Sequence, residues 1–175
     1  MKHYDFATKL RTLWEKAGRL YAQGQRGADS YFTADEAAFL AANGITPQHL
    51  YDYAEDFTGG GEPTWETALA IELVRRDYFL NAQGGRALAR VLEEAKMPAK
   101  TDAIRGIEWL PRIIPKTKAK LHGELPLTLM YCCGGDRRFF RAHDIHPAEF
   151  LSLVWRNEHN DAAIVDWVAR RSAAK

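Results

Sequence analysis

The sequence predicts a single all-α domain of about eight helices over residues 1–175. Apolar residues recur at the 3.6-residue period of a helix over most of the chain, as Leu10, Leu13 and Ala17 do near its start. Residues that cap helices precede these segments, and glycine or proline follows many of them. No segment shows the convincing alternation of polar and apolar residues that marks a half-buried strand. Together these three observations favour helices packed on helices.

Composition and charge limit the classes of function. The 175 residues are 46% apolar and 27% charged, which is typical of globular proteins, and the net charge of +1 argues against bulk binding to nucleic acid or anionic membranes. No apolar run approaches the roughly 20 residues of a membrane span. The opening MKHYDFATKL lacks the apolar core of a signal peptide, so we expect a cytoplasmic protein. Adjacent Cys132 and Cys133 predict two reduced, packed thiols, and we expect no metal and no cofactor.

Four helices are predicted in the first half of the chain. Asp5 precedes the first helix, and Thr33 begins a capping box that opens the second. Thr46 caps the third helix, with Pro47 at its first position. Thr64 opens a long fourth helix after the triple glycine, and the pair Gly84-Gly85 ends it.

The second half is predicted to be helical as well. The expected helices are an amphipathic segment over Arg86–Met97, a segment over Thr101–His122 that Pro111 and Pro115 break or kink, a short helix capped by Asp136, one starting at His146-Pro147, and a last one capped by Asp161. Between them, LPLTLMYCCGG reads as an irregular connection.

Two segments indicate an internal duplication. FLAANGITPQHL, starting at Phe39, aligns with FFRAHDIHPAEF, starting at Phe139, so that Ile45 and Pro47 coincide with Ile145 and Pro147 at an offset of 100 residues. Equivalent apolar positions precede both segments. The sequence therefore predicts two related helical halves, 1–97 and 101–175, packed about a rough twofold axis. A cleft between such halves is the natural place for a ligand.

The predicted fourth helix carries charges within its apolar arc. Glu72, Arg75 and Arg76 project among apolar side chains that nearly encircle this helix. Glu72 can pair with either arginine, at i+3 or i+4, but one positive charge remains. An unpaired buried charge costs about 3–5 kcal/mol, so a further anion is required.

Two sources of that anion stay open. One is the preceding acidic helix, HLYDYAEDF, whose Asp52 or Asp56 could complete a structural ion-pair network with the arginines. The other is a bound carboxylate or phosphate, with Glu72 or Asp77 nearby as an acid or a base.

A basic face is predicted on the segment from Arg105 to Lys120. Its residues are Arg105, Trp109, Arg112, Lys116 and Lys120. Such a face is usually solvated, but it could also bind an anionic ligand. Less favourably, its cations could bind the phosphates of a nucleic acid while Trp109 stacks on a base.

The C-terminal third resembles a bacterial domain-of-unknown-function family, the one numbered 5069. The resemblance covers about residues 109–168 and rests on Leu110-Pro111-Arg112, Lys116, Ala119-Lys120, Gly123, Asp136 before an aromatic pair, Ile145, and the closing Asp161 to Trp167. Pro115 departs from that pattern. The family implies a small bacterial protein and draws attention to Arg112, Lys116 and Asp136, but it implies no reaction.

The sequence thus favours a protein that binds, and could act on, a small anionic metabolite. In this hypothesis Arg75, Arg76, Arg112 and Lys116 hold the anion, and Asp52, Asp56 and Asp136 support them. The alternative is a non-enzymatic module that binds another protein or a second copy of itself. A membrane partner is not expected, and neither is nucleic acid.

Overall fold

The architecture is all-α, as the sequence predicts. A computed structural model describes residues 3–174, and eight α-helices dominate it. The only sheet among these residues is a small antiparallel hairpin, in which β1 (Ala103–Ile104) pairs with β2 (Ile107–Glu108). No helix in the described range combines the length and the apolar character needed to cross a membrane.

The chain divides into two units, Met1–Arg86 and Ala87–Lys175. Unit 1 contains four helices: α1 (Phe6–Ala22), α2 (Ala34–Ala41), α3 (Pro47–Gly60) and α4 (Trp65–Asp77). Unit 2 contains the hairpin and four more: α5 (Leu110–His122), α6 (Gly134–Ala142), α7 (Pro147–Arg156) and α8 (Asp161–Ala173).

In unit 1, α1 packs along α3. Leu10 and Ala17 of α1 are buried, as are Leu50 and Tyr53 of α3, because the apolar positions of each helix fall on one side. The predicted caps are confirmed at three helices. Thr33 forms a complete capping box at α2, and the side chains of Thr46 and Thr64 accept from the amides of His49 and Thr67, the third residues of α3 and α4. α4 continues into a π-helical turn, Tyr78–Ala82.

In unit 2, α5 packs against α7. Leu110 and Ile113 of α5 are fully buried, as are Phe150 and Val154 of α7. The hairpin lies beside α5 and leads directly into it.

Several helix boundaries in the two units repeat at one offset. α1 ends at Ala22 and α5 at His122, while α3 begins at Pro47 and α7 at Pro147. α2 and α6 begin at residues 34 and 134. We propose that this common offset of 100 residues reflects the duplication that the sequence indicates.

The predicted helix over Arg86–Met97 is wrong. This segment has no regular structure apart from a 3₁₀ turn at Glu94–Lys96, and its apolar Leu88 and Val91 are about half exposed. An isolated helix of this length is only marginally stable unless packing stabilises one face. The apolar side chains of this segment have little packing of that kind. The Leu92 amide instead donates to the Glu124 carbonyl, at 2.7 Å.

The predicted helix over Thr101–His122 is also corrected. Its first part is the hairpin, because Arg105 and Gly106 both have positive φ, as the centre of a tight hairpin turn requires. Helix α5 begins at Leu110, with Pro111 in its first turn where no amide is needed, and it continues through Pro115 without a break.

Two predicted caps belong to neighbouring residues. Cys133, not Asp136, is the residue before α6, and Asp136 lies in the first turn of that helix. Asn160, not Asp161, caps α8, since its side chain accepts from the Ala163 amide. The region LPLTLMYCCGG has no regular structure before α6, as predicted.

Candidate functional site

Unit 2 contains a completely buried carboxylate, that of Asp136. It accepts three hydrogen bonds. Lys116 Nζ donates to Oδ2 over 2.7 Å, Trp109 Nε1 to Oδ1 over 3.1 Å, and the Cys132 amide to Oδ2 over 2.9 Å. Three donors, one of them charged, compensate the desolvation of this carboxylate and fix its position in the first turn of α6.

Lys116 is as deeply buried as its partner. Its side chain is 4% exposed, and Nζ also donates to Cys133 Sγ at 3.3 Å. The predicted basic face on this segment is therefore corrected, because Lys116 and Lys120 lie inside the protein. The remaining members of that face do not continue it, since Arg105 is in the hairpin turn and pairs with Asp166 at 2.6 Å.

Two residues that bond Asp136 have an uncommon backbone conformation. Trp109 has φ of 69° and Cys132 has φ of 68°, in the left-handed region that side chains rarely adopt. Such a conformation costs on the order of 1–3 kcal/mol per residue and tends to occur at functional sites. At Trp109 it turns the chain from the hairpin into α5 and directs the indole N–H at Asp136.

Gly135 provides the space for the Trp109 ring. A Cβ atom at this position would lie 2.6 Å from Cζ2 and 2.7 Å from Cη2 of the indole, closer than carbon atoms can approach. The neighbouring Gly134 has no such contact, since the nearest atom to its hypothetical Cβ is Nη2 of Arg137, at an ordinary contact distance of 3.7 Å. The indole is therefore held between the α6 backbone and the buried carboxylate.

A pocket of about 400 Å³ opens beside this indole, entirely within unit 2. Trp109 and Phe139 supply its aromatic lining, and Lys100, Arg138 and Glu108 supply its charges. Lys100 and Arg138 are exposed and, within residues 3–174, have no counter-ion and no side-chain hydrogen bond. Two cations against one carboxylate give the pocket an excess of positive charge.

His143 also lines this pocket, but its ring is engaged. Nδ1 lies 2.7 Å from the Ser172 hydroxyl, and the ring packs on Phe139 with centroids 4.7 Å apart. The histidine therefore closes the wall on the α8 side of the pocket.

The ion pair of unit 2 has a counterpart in unit 1. Lys16 and Glu36, offset by 100 residues from Lys116 and Asp136, pair at 2.5 Å. Hydrogen bonding from Lys16 lowers the pKa of Glu36 below its ordinary value. This pair is 27% and 28% exposed, so each unit uses the same link between its first two helices, but only unit 2 buries it.

The residues around the two pairs differ. Thr33 caps α2 with its hydroxyl, whereas the equivalent Cys133 makes no capping bond and its thiol faces Lys116 instead. Lys9 occupies the position equivalent to Trp109. Only unit 2 therefore combines the buried pair with an indole and a thiol.

The predicted anion-binding arginines of unit 1 are held by internal acceptors. Arg75 is buried, donates to Gln83 Oε1 over 3.0 Å and lies over the Phe79 ring. Burial lowers the pKa of Arg75 to about 10, against the opposing effect of Glu72, so the guanidinium remains charged at neutral pH. Arg76 donates to Asn43 Oδ1 over 2.6 Å, and its Nη2 lies 2.6 Å from Nδ1 of His3.

The predicted acidic residues of unit 1 have structural partners too. Glu72 is fully buried, accepts from the Tyr53 hydroxyl at 2.8 Å, and lies 3.7 Å from His49 Nδ1. Tyr53 and His49 thus connect the acidic helix α3 to α4. Asp52 accepts from Gln48 within its own helix, at 2.7 Å.

The predicted supporting residue Asp56 and the predicted acid or base Asp77 lie nearer the surface. Asp56 is half-buried on α3. Asp77 is exposed at the end of α4 and accepts a hydrogen bond from Asn81. Neither residue lines the pocket of unit 2.

The two predicted cations of unit 2 are engaged as well. Arg112 donates to the Pro98 carbonyl over 2.8 Å, with Glu94 at 3.7 Å, and Lys116 is committed to Asp136. The prediction that these four cations bind a ligand stays a prediction. In the pocket of unit 2, the cations without a partner among the described residues are Lys100 and Arg138, which the sequence did not indicate.

Among residues 3–174, no group of three or more His, Cys, Asp or Glu side chains is arranged to hold a metal ion.

Comparison with known proteins finds no matching family model, no similar curated protein and no similar solved structure. The resemblance to the bacterial family numbered 5069 therefore stays a prediction, and function must be argued from the site itself.

Proposed function

We propose that the protein binds a small anionic molecule in the pocket of unit 2. The observation that carries the proposal is a concave space of about 400 Å³ that combines an aromatic wall with two cations, Lys100 and Arg138, which have no counter-ion in the described part of the chain. That volume lies within the range of small-molecule sites. An anionic group on the ligand would meet the two cations, and its apolar part would meet Trp109.

The rigidity of the indole supports this proposal. Trp109 is held by its hydrogen bond to Asp136 and by its contact with Gly135, so the pocket wall is formed before a ligand arrives. A preformed wall lowers the entropy lost on binding. Asp136 and Lys116 act in this account as positioning residues beneath the pocket, not as ligand contacts.

The pocket has a preferred end for the negative charge. Glu108 repels an anion from its own side, whereas Arg138 offers a planar guanidinium that matches a carboxylate or phosphate oxygen pair. The ligand chemistry that fits is therefore one anionic group, carboxylate or phosphate, joined to a small body that can lie on an aromatic ring.

The test is a thermal-shift screen with inorganic phosphate, citrate and benzoate, using wild type and Arg138→Gln. We expect at least one probe to raise the melting temperature of the wild type, since ligand at 100 times its Kd adds about 2.7 kcal/mol of stability. Arg138→Gln should lose this shift without losing stability, because Arg138 is exposed and its side chain has no partner among residues 3–174.

The matched control is Arg170→Gln, an equally exposed arginine on α8 outside the pocket. It should keep the wild-type shift. The proposal is overturned if no probe shifts the wild type, or if the two arginine variants respond alike.

The alternative function, an interaction module for a protein partner or a second copy, has its own observation. In the irregular segment after unit 1, Leu88 is 49% exposed and Val91 is 57% exposed. Apolar side chains that are exposed on a segment without packing partners are available to a partner protein. Analytical ultracentrifugation that showed a dimer, lost in Leu88→Ser, would favour this alternative.

We place the protein in a bacterial cytoplasm. The resemblance of its C-terminal third to a bacterial family supports the source. The free thiols of Cys132 and Cys133 support a reducing compartment, since thiols persist there without forming disulfides.

A further inference from the structure

Unit 1 contains a second concave site, which the proposed function does not use. Helices α1 and α3 enclose a groove of about 580 Å³, with Trp14, Ala22, Ala54 and Phe57 in its lining. The rings of Trp14 and Phe57 meet edge to face at 5.1 Å, and Phe57 remains 37% exposed. The groove is thus an apolar space that is open to solvent.

Comparison with unit 2 shows why this space exists. At the positions equivalent to Ala22 and Thr58, unit 2 has His122 and Glu158, whose side chains join at 2.6 Å. That pair connects the end of α5 to the turn after α7. In unit 1 both side chains are small and no such bridge can form. α3 also extends to Gly60, beyond the position equivalent to the last residue of α7.

Gly18 contributes in the same way. It lies in the middle of α1, where glycine is less favourable than alanine, and a Cβ atom there would meet nothing within 4 Å. The equivalent residue in unit 2 is Lys118, which pairs with Asp161 at 2.6 Å. The three small residues of unit 1 therefore keep open a space that larger side chains cover in unit 2.

The polar groups of the groove indicate the charge of its occupant. Arg19 lines it and, among the described residues, its side chain has no ion pair and no hydrogen bond. The one carboxylate in the lining, Glu15, is already paired with Arg11 at 3.0 Å. The groove thus presents one available cation beside apolar walls.

A hydrogen-bond donor in the wall also lacks a partner. Trp14 Nε1 is buried and has no acceptor among residues 3–174. A buried N–H without an acceptor is unfavourable, and a ligand oxygen that reaches it after the indole turns would remove that cost.

We propose that this groove binds an aliphatic monocarboxylate, a molecule with one carboxylate on a hydrocarbon chain. The body lies against Ala22 and Phe57, and the carboxylate pairs with Arg19. This site is separate from the pocket of unit 2 and differs from it in ligand class, because its lining is mostly apolar and contains a single available cation.

The test is isothermal titration of the full chain with octanoate. Gly18→Leu places a side chain in the open space, while replacing glycine by a better helix former, so the variant should stay folded. We expect it to lose octanoate binding by at least about tenfold in Kd. Arg19→Gln should weaken binding by roughly 10- to 100-fold, the loss that corresponds to one charge-assisted hydrogen bond.

Three comparisons decide the result. Ala41→Leu adds the same side chain at an exposed position of α2 outside the groove, and it should bind octanoate as the wild type does. Octan-1-ol, which has the chain without the charge, should bind at least about tenfold more weakly than octanoate. Arg138→Gln should leave octanoate binding unchanged, because it affects only the pocket of unit 2.

The proposal is overturned if wild type does not bind octanoate, or if Gly18→Leu binds it normally. It is also overturned if octan-1-ol binds as tightly as octanoate, since the groove would then recognise apolar surface alone.

Discussion

Replacing Asp136 with asparagine removes a buried charge while keeping the shape of the side chain. Trp109 Nε1 and the Cys132 amide donate to different oxygens of the carboxylate, so the one oxygen of asparagine can keep only one of these bonds. The substitution also leaves the Lys116 ammonium without its counter-ion. Lys116 is 4% exposed, so water cannot replace the carboxylate. Breaking such a buried pair from one side costs about 3–5 kcal/mol, and we expect Asp136→Asn to lose that amount of unfolding free energy.

Unit 1 provides the matched control. Glu36→Gln breaks the equivalent pair with Lys16, but both side chains are more than a quarter exposed and solvent can compensate the lysine. Glutamine also preserves the capping box at Thr33. The expected loss is therefore about 0.2–1 kcal/mol, typical of a solvated ion pair.

The assay is urea unfolding followed by circular dichroism, with separate transitions fitted if the two units unfold independently. The transition of unit 2 should move to lower urea in Asp136→Asn, by several times the movement that Glu36→Gln causes in unit 1. Equal losses in the two variants would refute the reasoning, because they would mean that burial does not distinguish the pairs.

Two further predictions concern the same helices. Gly135→Ala should destabilise unit 2 by about 1–3 kcal/mol, because the added Cβ would overlap the Trp109 ring. Gly134→Ala should leave stability nearly unchanged, since its Cβ would meet no close atom. Similar melting temperatures for the two variants would contradict this prediction. Lys16 holds the pKa of Glu36 below its ordinary value of 4.5, so the pair stabilises the fold above pH 4.5 and its contribution disappears as pH falls through the lowered pKa. Unfolding free energies of wild type and Glu36→Gln should therefore converge at acidic pH, and a constant difference down to pH 2 would contradict the assignment.

Much of the fold could be predicted because its determinants are local. Thr33, Thr46 and Pro47 act within a few residues of themselves, and the structure places helix starts where they indicate. The prediction of a helix over Arg86–Met97 was wrong because amphipathic spacing indicates only that one face of a helix could be buried. Whether another element covers that face depends on residues far away in the chain, and here Leu88 and Val91 remain exposed.

The candidate site was harder to predict, since contacts between residues far apart in the sequence define it. Lys116 and Asp136 were singled out, but their burial follows from the packing of α6 beside α5 and not from spacing within either helix. Arg138 and Lys100 lie on different elements, so no periodicity connects them. One signal in the sequence could have helped: Lys16 and Glu36 repeat the pair at the offset of the proposed duplication.

The measurement that tests the central claim most directly is a calorimetric titration of benzoate into wild type and Arg138→Gln. If the pocket of unit 2 binds anions through Arg138, the wild type binds benzoate with a measurable heat and the variant binds it at least about tenfold more weakly, a loss of about 1.4 kcal/mol. Equal affinities in the two proteins, or no binding by the wild type when citrate and phosphate also fail, would contradict the account.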